Sequence, residues 1–244
     1  MSYTTKGLSF LFILALPIFL ITASVAWAVN DLRVYNHGFD KYDVSAVTGI
    51  DQDALIQAAR DIRSYFNSSE EPLEVRAKVF GQQREIFNDR EIIHMSDVKD
   101  LIWAVYIVVA ISGAYLVSVV TIGVFWKGPT FIPLVSRWTL WGGGATIGLV
   151  AIIGLVAITA FGQIFQTFHE VSFTNDFWKL DPSQDYLVMM FPIGFWFDAT
   201  IFVALTSIGS AFVMTAVSGG LLIARKIRSS ETSGPIYQEP EEPT

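Results

Sequence analysis

Two of the three histidines in the sequence lie where a charged segment meets an apolar one. His94 lies in NDREIIHMSDVKD (88–100), just before an apolar stretch, and His169 lies in FGQIFQTFHEVSF (161–173), at the end of another. Because an imidazole titrates near neutral pH, one histidine can accept a proton while a second donates one. The pair therefore suggests proton-transfer chemistry at a membrane surface.

The residues around His94 have the spacing of a helix. Asn88 and Glu91 are spaced as in a capping box, which marks the first turn. On a helix that begins there, Arg90, His94 and Asp97 fall at i, i+4 and i+7 and share one face. Asp97 is therefore expected to fix the tautomer of His94 and to stabilise its charged form.

Other interpretations of these residues remain open at this point. A histidine at a membrane interface is commonly a solvated or hydrogen-bonded structural residue, and His37 is assigned to that class. Asp97 and Lys99 can equally be the charged flanks of a membrane helix. A serine acyl-enzyme through Ser172 is a further alternative, as is a metal site of two histidines and a carboxylate. Because the metal ligands would have to converge from separate segments, we expect no metal and no other cofactor.

Charged residues are confined to a few segments of the chain. The stretches without Asp, Glu, Lys, Arg or His are Gly7 to Val29, Leu101 to Trp126, Trp138 to Phe165 and Ala199 to Ala224. Each exceeds the roughly 20 apolar residues that a helix needs to cross a bilayer. The sequence thus predicts an all-α integral membrane protein with four transmembrane helices and a small, mainly helical extracytoplasmic cap domain. Since ion-coupled transporters need ionisable groups within their spans, a transporter is not expected.

Basic residues set the predicted orientation. Lys6, Lys127, Arg137 and Arg225 flank the spans at one side of the membrane, which is the cytoplasmic side by the positive-inside rule. Residues 166–198 carry one Lys against five acids, which fits the opposite side. In a multi-pass cell-membrane protein of this kind, both termini are predicted to be cytoplasmic. The large loops, with both histidine motifs, are then extracytoplasmic.

These patterns divide the chain into alternating membrane and polar segments. The predicted division is 1–29, transmembrane helix 1, an uncleaved signal-anchor; 30–100, the cap domain; 101–126, transmembrane helix 2; 127–137, a cytoplasmic loop; 138–165, transmembrane helix 3; 166–198, an extracytoplasmic loop; 199–224, transmembrane helix 4; and 225–244, a cytoplasmic acidic, Pro-rich tail. Ala26-Trp27-Ala28 resembles a cleavage site, so a cleaved signal peptide is the alternative for the first segment.

Weaker patterns describe the inside of these segments. Asp51 to Tyr65 has apolar residues at helical intervals, which predicts an amphipathic helix. Leu73 to Phe87 alternates weakly and fits either a short strand or irregular structure. Glycines such as Gly142, Gly143 and Gly144 predict close packing between helices in lipid. The absence of cysteine removes disulfides, a thiolate nucleophile and thiolate metal ligands.

Longer strings resemble a known family. FNDREIIHMSDVKDL (87–101), FHEVSFTNDFWKLDPSQDYLVMMFP (168–192) and PIGFWFDA (192–199) resemble the signature segments of a family of four-span membrane proteins. Its characterised members are lipoprotein intramolecular transacylases, called Lit. The resemblance extends over nearly the whole chain, including the order of the spans. It implies an acyltransferase that moves an acyl chain from the glyceryl ester to the α-amine of the N-terminal Cys of a lipoprotein.

The resemblance also implies the site and its partners. The two functional histidines of the family match His94 and His169. We expect His94, oriented by Asp97, to be the base and His169 to be the acid or the oxyanion donor, with the reverse assignment open. Membrane lipid and a lipoprotein substrate are the implied partners, whereas no basic patch for nucleic acid is present.

Further charged residues are expected to bind the substrate or to support the histidines: Arg90, Lys99, Glu170 and Asp198. Many relatives have an acidic residue after the proline of the FP segment, where this chain has Ile193-Gly194. Asp198 and Glu170 are the candidates to replace that acid.

A function of another class is also open. The tail after Arg228 is acidic and Pro-rich, a composition typical of disorder. A non-catalytic accessory subunit of a larger membrane complex, photosynthetic or respiratory, would bind partners through its span faces and through residues 229–244. Buried histidines paired with each other or bound to a pigment favour that alternative, whereas histidines that share a pocket open to lipid favour the enzyme.

Overall fold

The computed structural model describes residues 3–231, most of which are helical. The elements in chain order are α1 (Tyr3–Asn30), α2 (Leu32–Lys41), α3 (Val44–Thr48), α4 (Gln52–Phe66), β1 (Arg76–Val79), β2 (Gln82–Glu85), α5 (Asp89–Lys127), a 3-10 turn (Gly128–Phe131), α6 (Ile132–Ser172), α7 (Tyr186–Met190) and α8 (Ile193–Glu231).

Three continuous helical stretches are long and apolar enough to cross a membrane, namely Thr5–Asn30, Asp89–Ser172 and Ile193–Ser230. The middle stretch is 84 residues long and contains both α5 and α6. The backbone turns between them at Gly128, whose φ of +59° is readily adopted only by glycine. The chain is therefore a mostly helical, multi-pass membrane protein.

Helix α1 lies at the centre of the long helices. It packs against α5, α6 and α8, and α6 also packs along α8. Phe12 and Leu16 of α1 join Leu116 of α5 and Trp138 of α6 in one buried hydrophobic cluster. Side chains on the outward faces, such as Ile111, are exposed, as expected for helices whose outer faces contact lipid. The predicted apolar stretches thus form one bundle.

Two glycines allow the closest approaches between these helices. A Cβ atom at Gly143 would overlap the side chain of Thr215 on α8, and one at Gly142 would lie 3.0 Å from Cδ2 of Leu16 on α1. Gly144 differs, because a Cβ atom there would meet nothing within 4 Å. Small residues therefore permit close packing at Gly142 and Gly143, as the sequence predicts, but not at Gly144.

The segment between α1 and α5 folds around a second hydrophobic core. Phe39 of α2 and Leu55 and Ile62 of α4 are buried there, together with Met190 at the end of α7. Helix α4 corresponds to the predicted amphipathic helix, since its buried residues lie on one face. This core fixes the end of α7 relative to the elements that precede α5.

The stretch Leu73 to Phe87, which the sequence leaves undecided, forms the antiparallel hairpin β1–β2. Val79 pairs with Gln82, so that Phe80 and Gly81 form the turn. Both turn residues have positive φ, 48° and 82°, as two-residue hairpin turns often require. Phe is uncommon in that conformation, and the usual hairpin signals are Asn-Gly and Asp-Gly. The sequence Phe-Gly therefore did not indicate a hairpin turn.

Glu91 joins the first turn of α5 to α7. The predicted capping box is present, because Glu91 Oε2 accepts from the backbone N–H of Asn88 at 2.7 Å and the Asn88 side chain accepts from the N–H of Glu91. The other oxygen, Oε1, accepts from the backbone N–H of Leu187 at 2.6 Å. The side chain is fully buried. One carboxylate thus satisfies a backbone donor at the start of each helix.

Replacing Gly143 by Leu should lower the thermal unfolding midpoint of the detergent-purified protein. The new side chain would meet Thr215, and overpacking of this kind costs roughly 1–3 kcal/mol. Gly144→Leu is the matched control, because it places the same side chain in open space one residue along. Equal midpoints for the two variants would contradict the close packing of α6 on α8.

Replacing Glu91 by Ala should lower the free energy of unfolding by about 2 kcal/mol, because the amides of Asn88 and Leu187 lose their acceptor. Thermal unfolding measures the change. Asp100→Ala removes an exposed carboxylate from the same helix and is the control. A Glu91 variant as stable as the Asp100 variant would show that the buried carboxylate does not join the two helices.

Candidate active site

The two histidines lie side by side although they come from different helices. His94 is on the second turn of α5, and His169 is on the last turn of α6. Their ring centroids are 5.9 Å apart, and the ring planes are inclined by 36°. Both residues are buried, with exposed fractions of 6% and 7%. The structure therefore brings the sequence-predicted pair into one site.

Helix α6 bends before it reaches His169. Ala160 has φ −140° and ψ 30°, which are not helical values. The Thr159 hydroxyl donates to the carbonyl of Val156 at 3.1 Å, and side-chain bonds of this type often accompany bends. The end of α6 that carries His169 is thus a separate short helical segment, whose direction is set by the kink.

Aromatic rings surround the histidine pair. The centroid of Phe165 lies 4.3 Å from that of His169, and the centroid of Trp178 lies 5.1 Å from it. Phe173 contacts both histidines, at 5.0 Å from His94 and 5.6 Å from His169. These rings shield the imidazoles from water, so hydrogen bonds and electrostatic interactions at the site are stronger than in bulk solvent.

The hydrogen bonds of the two imidazoles leave ring nitrogens available. His169 Nδ1 lies 2.7 Å from the carbonyl oxygen of Phe165. Because a carbonyl only accepts, Nδ1 carries the proton, and Nε2 of neutral His169 has a free lone pair. His94 Nδ1 is buried and has no hydrogen-bond partner among residues 3–231. A buried polar atom without a partner is uncommon in folded proteins, which singles out His94 Nδ1 as a candidate for chemistry.

Asp97 does not bind His94 as the sequence analysis expects. Its Oδ2 atom accepts a hydrogen bond from Nδ2 of Asn175 at 2.9 Å, while Nδ1 of His94 has no partner within the described part of the chain. The helical spacing does place Asp97 on the same face of α5 as His94, about one turn later. The partner of the carboxylate is instead a residue from a distant segment of the chain.

Arg90 and Glu170 lie near the histidines in sequence but are used differently. Arg90 Nη2 donates to the backbone carbonyls of Asp176 at 3.0 Å and Lys179 at 3.2 Å. Glu170 is exposed next to His169, and its Oε1 accepts from Gln166 one turn earlier at 2.8 Å. Arg90 therefore fixes the chain after α6, whereas the Glu170 carboxylate faces outward.

Lys99 lies at a junction away from the histidine pair. Its buried ammonium donates to the carbonyl of Glu70 and to the carboxylate of Glu71, and it lies 4.0 Å from the centroid of Tyr65. Burial alone raises the pKa of Glu71, but hydrogen bonds from Tyr65 and Lys99 bring that pKa below its ordinary value. Lys99 therefore ties α5 to the end of α4 instead of binding at the site.

Asp198 is also engaged elsewhere. Its carboxylate accepts from Lys41 Nζ at 2.7 Å and from the Tyr42 hydroxyl at 2.8 Å. These contacts join the start of α8 to the end of α2. Of the residues that the sequence proposes, the structure places His94 beside His169, binds Asp97 and Arg90 to the loop after α6, leaves Glu170 exposed and assigns Lys99 and Asp198 to other contacts.

Sequence reasoning missed residues that shape the site. Trp178 fits an interfacial aromatic by composition, and Asn175 belongs to no periodic pattern, yet one contacts His169 and the other binds Asp97. The sequence marks Glu91 only as part of the capping box, because its second partner, Leu187, is remote in sequence. Among residues 3–231, no group of three or more His, Asp or Glu side chains is arranged to hold a metal ion.

The fold is similar to that of solved structures of one bacterial enzyme. The membrane integral lipoprotein intramolecular transacylase Lit from Bacillus cereus has a TM-score of 0.79 at 17% identity, and the match covers 93% of this chain and 100% of that one. A variant of that protein with a histidine changed to arginine has a TM-score of 0.75 at 16% identity, covering 93% of this chain and 95% of the other. At this low sequence identity, the structural similarity shows that the fold is shared and nothing beyond the fold.

Comparison of the amino-acid sequence with known proteins finds a relative and a protein family. An uncharacterized protein of Aquifex aeolicus is 29% identical over 138 residues, which are 56% of this chain and 59% of that relative. The model of the family named lipoprotein intramolecular transacylase Lit matches residues 10–196. That range is most of the chain and includes both histidine motifs. The chain therefore belongs to the Lit family.

Proposed function

We propose that this chain is an O-to-N transacylase, which moves an acyl chain from the glyceryl ester to the α-amine of the N-terminal Cys of a lipoprotein. The observation that carries the proposal is the pair of buried imidazoles whose ring centroids are 5.9 Å apart, with His94 Nδ1 lacking a hydrogen-bond partner among residues 3–231 and His169 Nδ1 bound to a backbone carbonyl, which leaves Nε2 for chemistry. Membership of the Lit family supports the same reaction. Membrane lipid and lipoprotein are the corresponding partners.

The reaction needs two proton transfers, which two imidazoles can provide. The α-amine nitrogen attacks the ester carbonyl carbon, and one histidine takes the proton that the nitrogen loses. The tetrahedral intermediate then expels the glyceryl oxygen, which takes a proton from the other histidine. One C–N bond forms and one C–O bond breaks, so the products are an amide and a free hydroxyl on the same molecule.

Both assignments of the two histidines fit this scheme. In the first, His94 is the base and His169 is the acid or the oxyanion donor, and in the second the roles are exchanged. Because the Phe165 carbonyl keeps a proton on Nδ1 of His169, Nε2 can accept a proton directly in the second assignment, whereas in the first assignment His169 must begin the reaction as the imidazolium. Glu170 is exposed beside His169, and its carboxylate would attract the α-ammonium group of the incoming lipoprotein, which must lose one proton to become the amine that attacks the ester.

The proposed reaction also requires the site to lie at the extracytoplasmic surface of the membrane. We propose that α1, α5, α6 and α8 cross the membrane once each, with both termini cytoplasmic and the histidines extracytoplasmic. The turn at Gly128 supports two crossings within the long middle stretch, and the basic residues Lys127 and Arg137 beside that turn support its cytoplasmic position. Residues 30–100 then form the extracytoplasmic cap.

The accessory-subunit alternative receives less support. It rests on the acidic tail 229–244, of which residues 232–244 lie outside the described part of the chain. The histidines are buried and close to each other, but the match to the family model favours an enzyme over a structural subunit.

Replacing His94 or His169 by Ala should lower the rate of N-acylation at least about 10²-fold, because either change removes a proton-transfer group. The assay is mass spectrometry of the N-terminal lipopeptide of a reporter lipoprotein, with equal amounts of folded enzyme. His37→Ala is the matched control, because His37 is exposed on α2. Wild-type activity in either of the first two variants would exclude the pair as the catalytic groups.

A further inference from the structure

The loop of residues 173–185 connects α6 to α7 and covers the histidine pair. Phe173, at its start, contacts His94 and His169, and Trp178, five residues later, contacts His169. The loop contains no helix or strand of its own. Its placement over the imidazoles therefore depends on contacts with other parts of the chain.

Helix α5 supplies side-chain contacts along the whole loop. Asn88 Nδ2 donates to Asp185 Oδ1 at 2.8 Å at the far end. Arg90 bonds two backbone carbonyls in the middle of the loop. Nearest to the histidines, Asp97 Oδ2 accepts from Asn175 Nδ2 at 2.9 Å. The Asp97–Asn175 pair is one turn beyond His94 on α5, and on the loop it lies between Phe173 and Trp178.

Asn175 acts on both the shape and the position of the loop. While its Nδ2 atom donates to Asp97, its Oδ1 atom accepts from the backbone N–H of Phe177 at 3.0 Å. The second bond is the Asx-turn contact by which an Asn side chain organises the residues that follow it. One side chain thus shapes the turn that leads to Trp178 and binds that turn to α5.

We propose that Asp97 and Asn175 are positioning residues for acyl transfer, because their hydrogen bond holds Phe173 and Trp178 against the histidine pair. The inference rests on the proposed function and extends it to residues outside the imidazoles. Asp97 acts in this account through Asn175 and not as the orienting partner of His94. Small displacements of groups around a reacting centre can lower rates by orders of magnitude.

Exchanging the two side chains separates this role from a direct effect of the Asp97 charge on His94. Asn175→Asp places two carboxylates against each other and breaks the contact. Asp97→Asn keeps a hydrogen bond, because the oxygen of the introduced amide can still accept from Asn175, but it removes the charge beside His94. The double variant, D97N with N175D, restores the hydrogen bond with donor and acceptor reversed.

The experiment measures kcat and KM for N-acylation of a diacylglyceryl lipopeptide by the purified full-length protein, per amount of folded enzyme. We expect Asn175→Asp to lower kcat about tenfold or more with little change in KM, since the groups around the histidines are displaced. Asp97→Asn should stay within about threefold of wild type, and the double variant should recover to that level. Asp176→Asn, the same kind of exchange at an exposed neighbour, is the control.

Other outcomes would overturn the inference. An unchanged kcat in Asn175→Asp would mean that the contact is not needed for the reaction. A large loss in Asp97→Asn that the second substitution does not recover would assign the effect to the charge beside His94. Thermal unfolding of each variant identifies loss through misfolding, and a double variant that regained stability without kcat would also contradict a positioning role. An inactive wild type would instead refute the proposed function itself.

Discussion

The buried carboxylate of Glu91 is the interaction on which the geometry of the site depends. A buried carboxyl group is costly unless it is hydrogen-bonded, and Glu91 accepts hydrogen bonds from backbone amides at the starts of α5 and α7. His94 is one turn after Glu91 on α5, and α7 follows directly after the loop that covers the histidines. The carboxylate thus fixes the far end of that loop relative to the helix that carries His94.

The bilayer imposes the second constraint. A membrane helix must satisfy its own backbone and exclude charges, so polar chemistry is confined to helix ends and to what lies beyond them. Here one helix provides its first turns and another its last turns, and the two histidines meet between them. The kink at Ala160 sets the direction of the end of α6 that carries His169, and the contacts made by Arg90 and Asp97 hold the loop that follows it.

Local features of the fold followed from the sequence, whereas long-range partners did not. The capping box at Asn88 and the helix from Asp51 appear as predicted, because both depend on residues within a few positions of each other. Asp97 occupies the predicted helix face, yet its hydrogen-bond partner, Asn175, comes from the loop after α6, which is remote in sequence. Lys99 shows the same limit, since nothing in its own segment indicates Glu71. The placement of His94 and His169 at the ends of apolar stretches suggested one site, and the family resemblance strengthened that expectation, but the contact between the two rings is visible only in the structure.

A crossover experiment tests the central claim most directly. Two diacylglyceryl lipopeptides, one with deuterated acyl chains and a heavier peptide, are mixed with the purified protein, and the N-terminal products are analysed by mass spectrometry. The account predicts N-acyl, lyso-glyceryl peptides in which each peptide retains its own acyl label, because amine and ester belong to the same molecule. Exchange of labels between peptides, or the absence of any N-acyl product from folded protein, would contradict it.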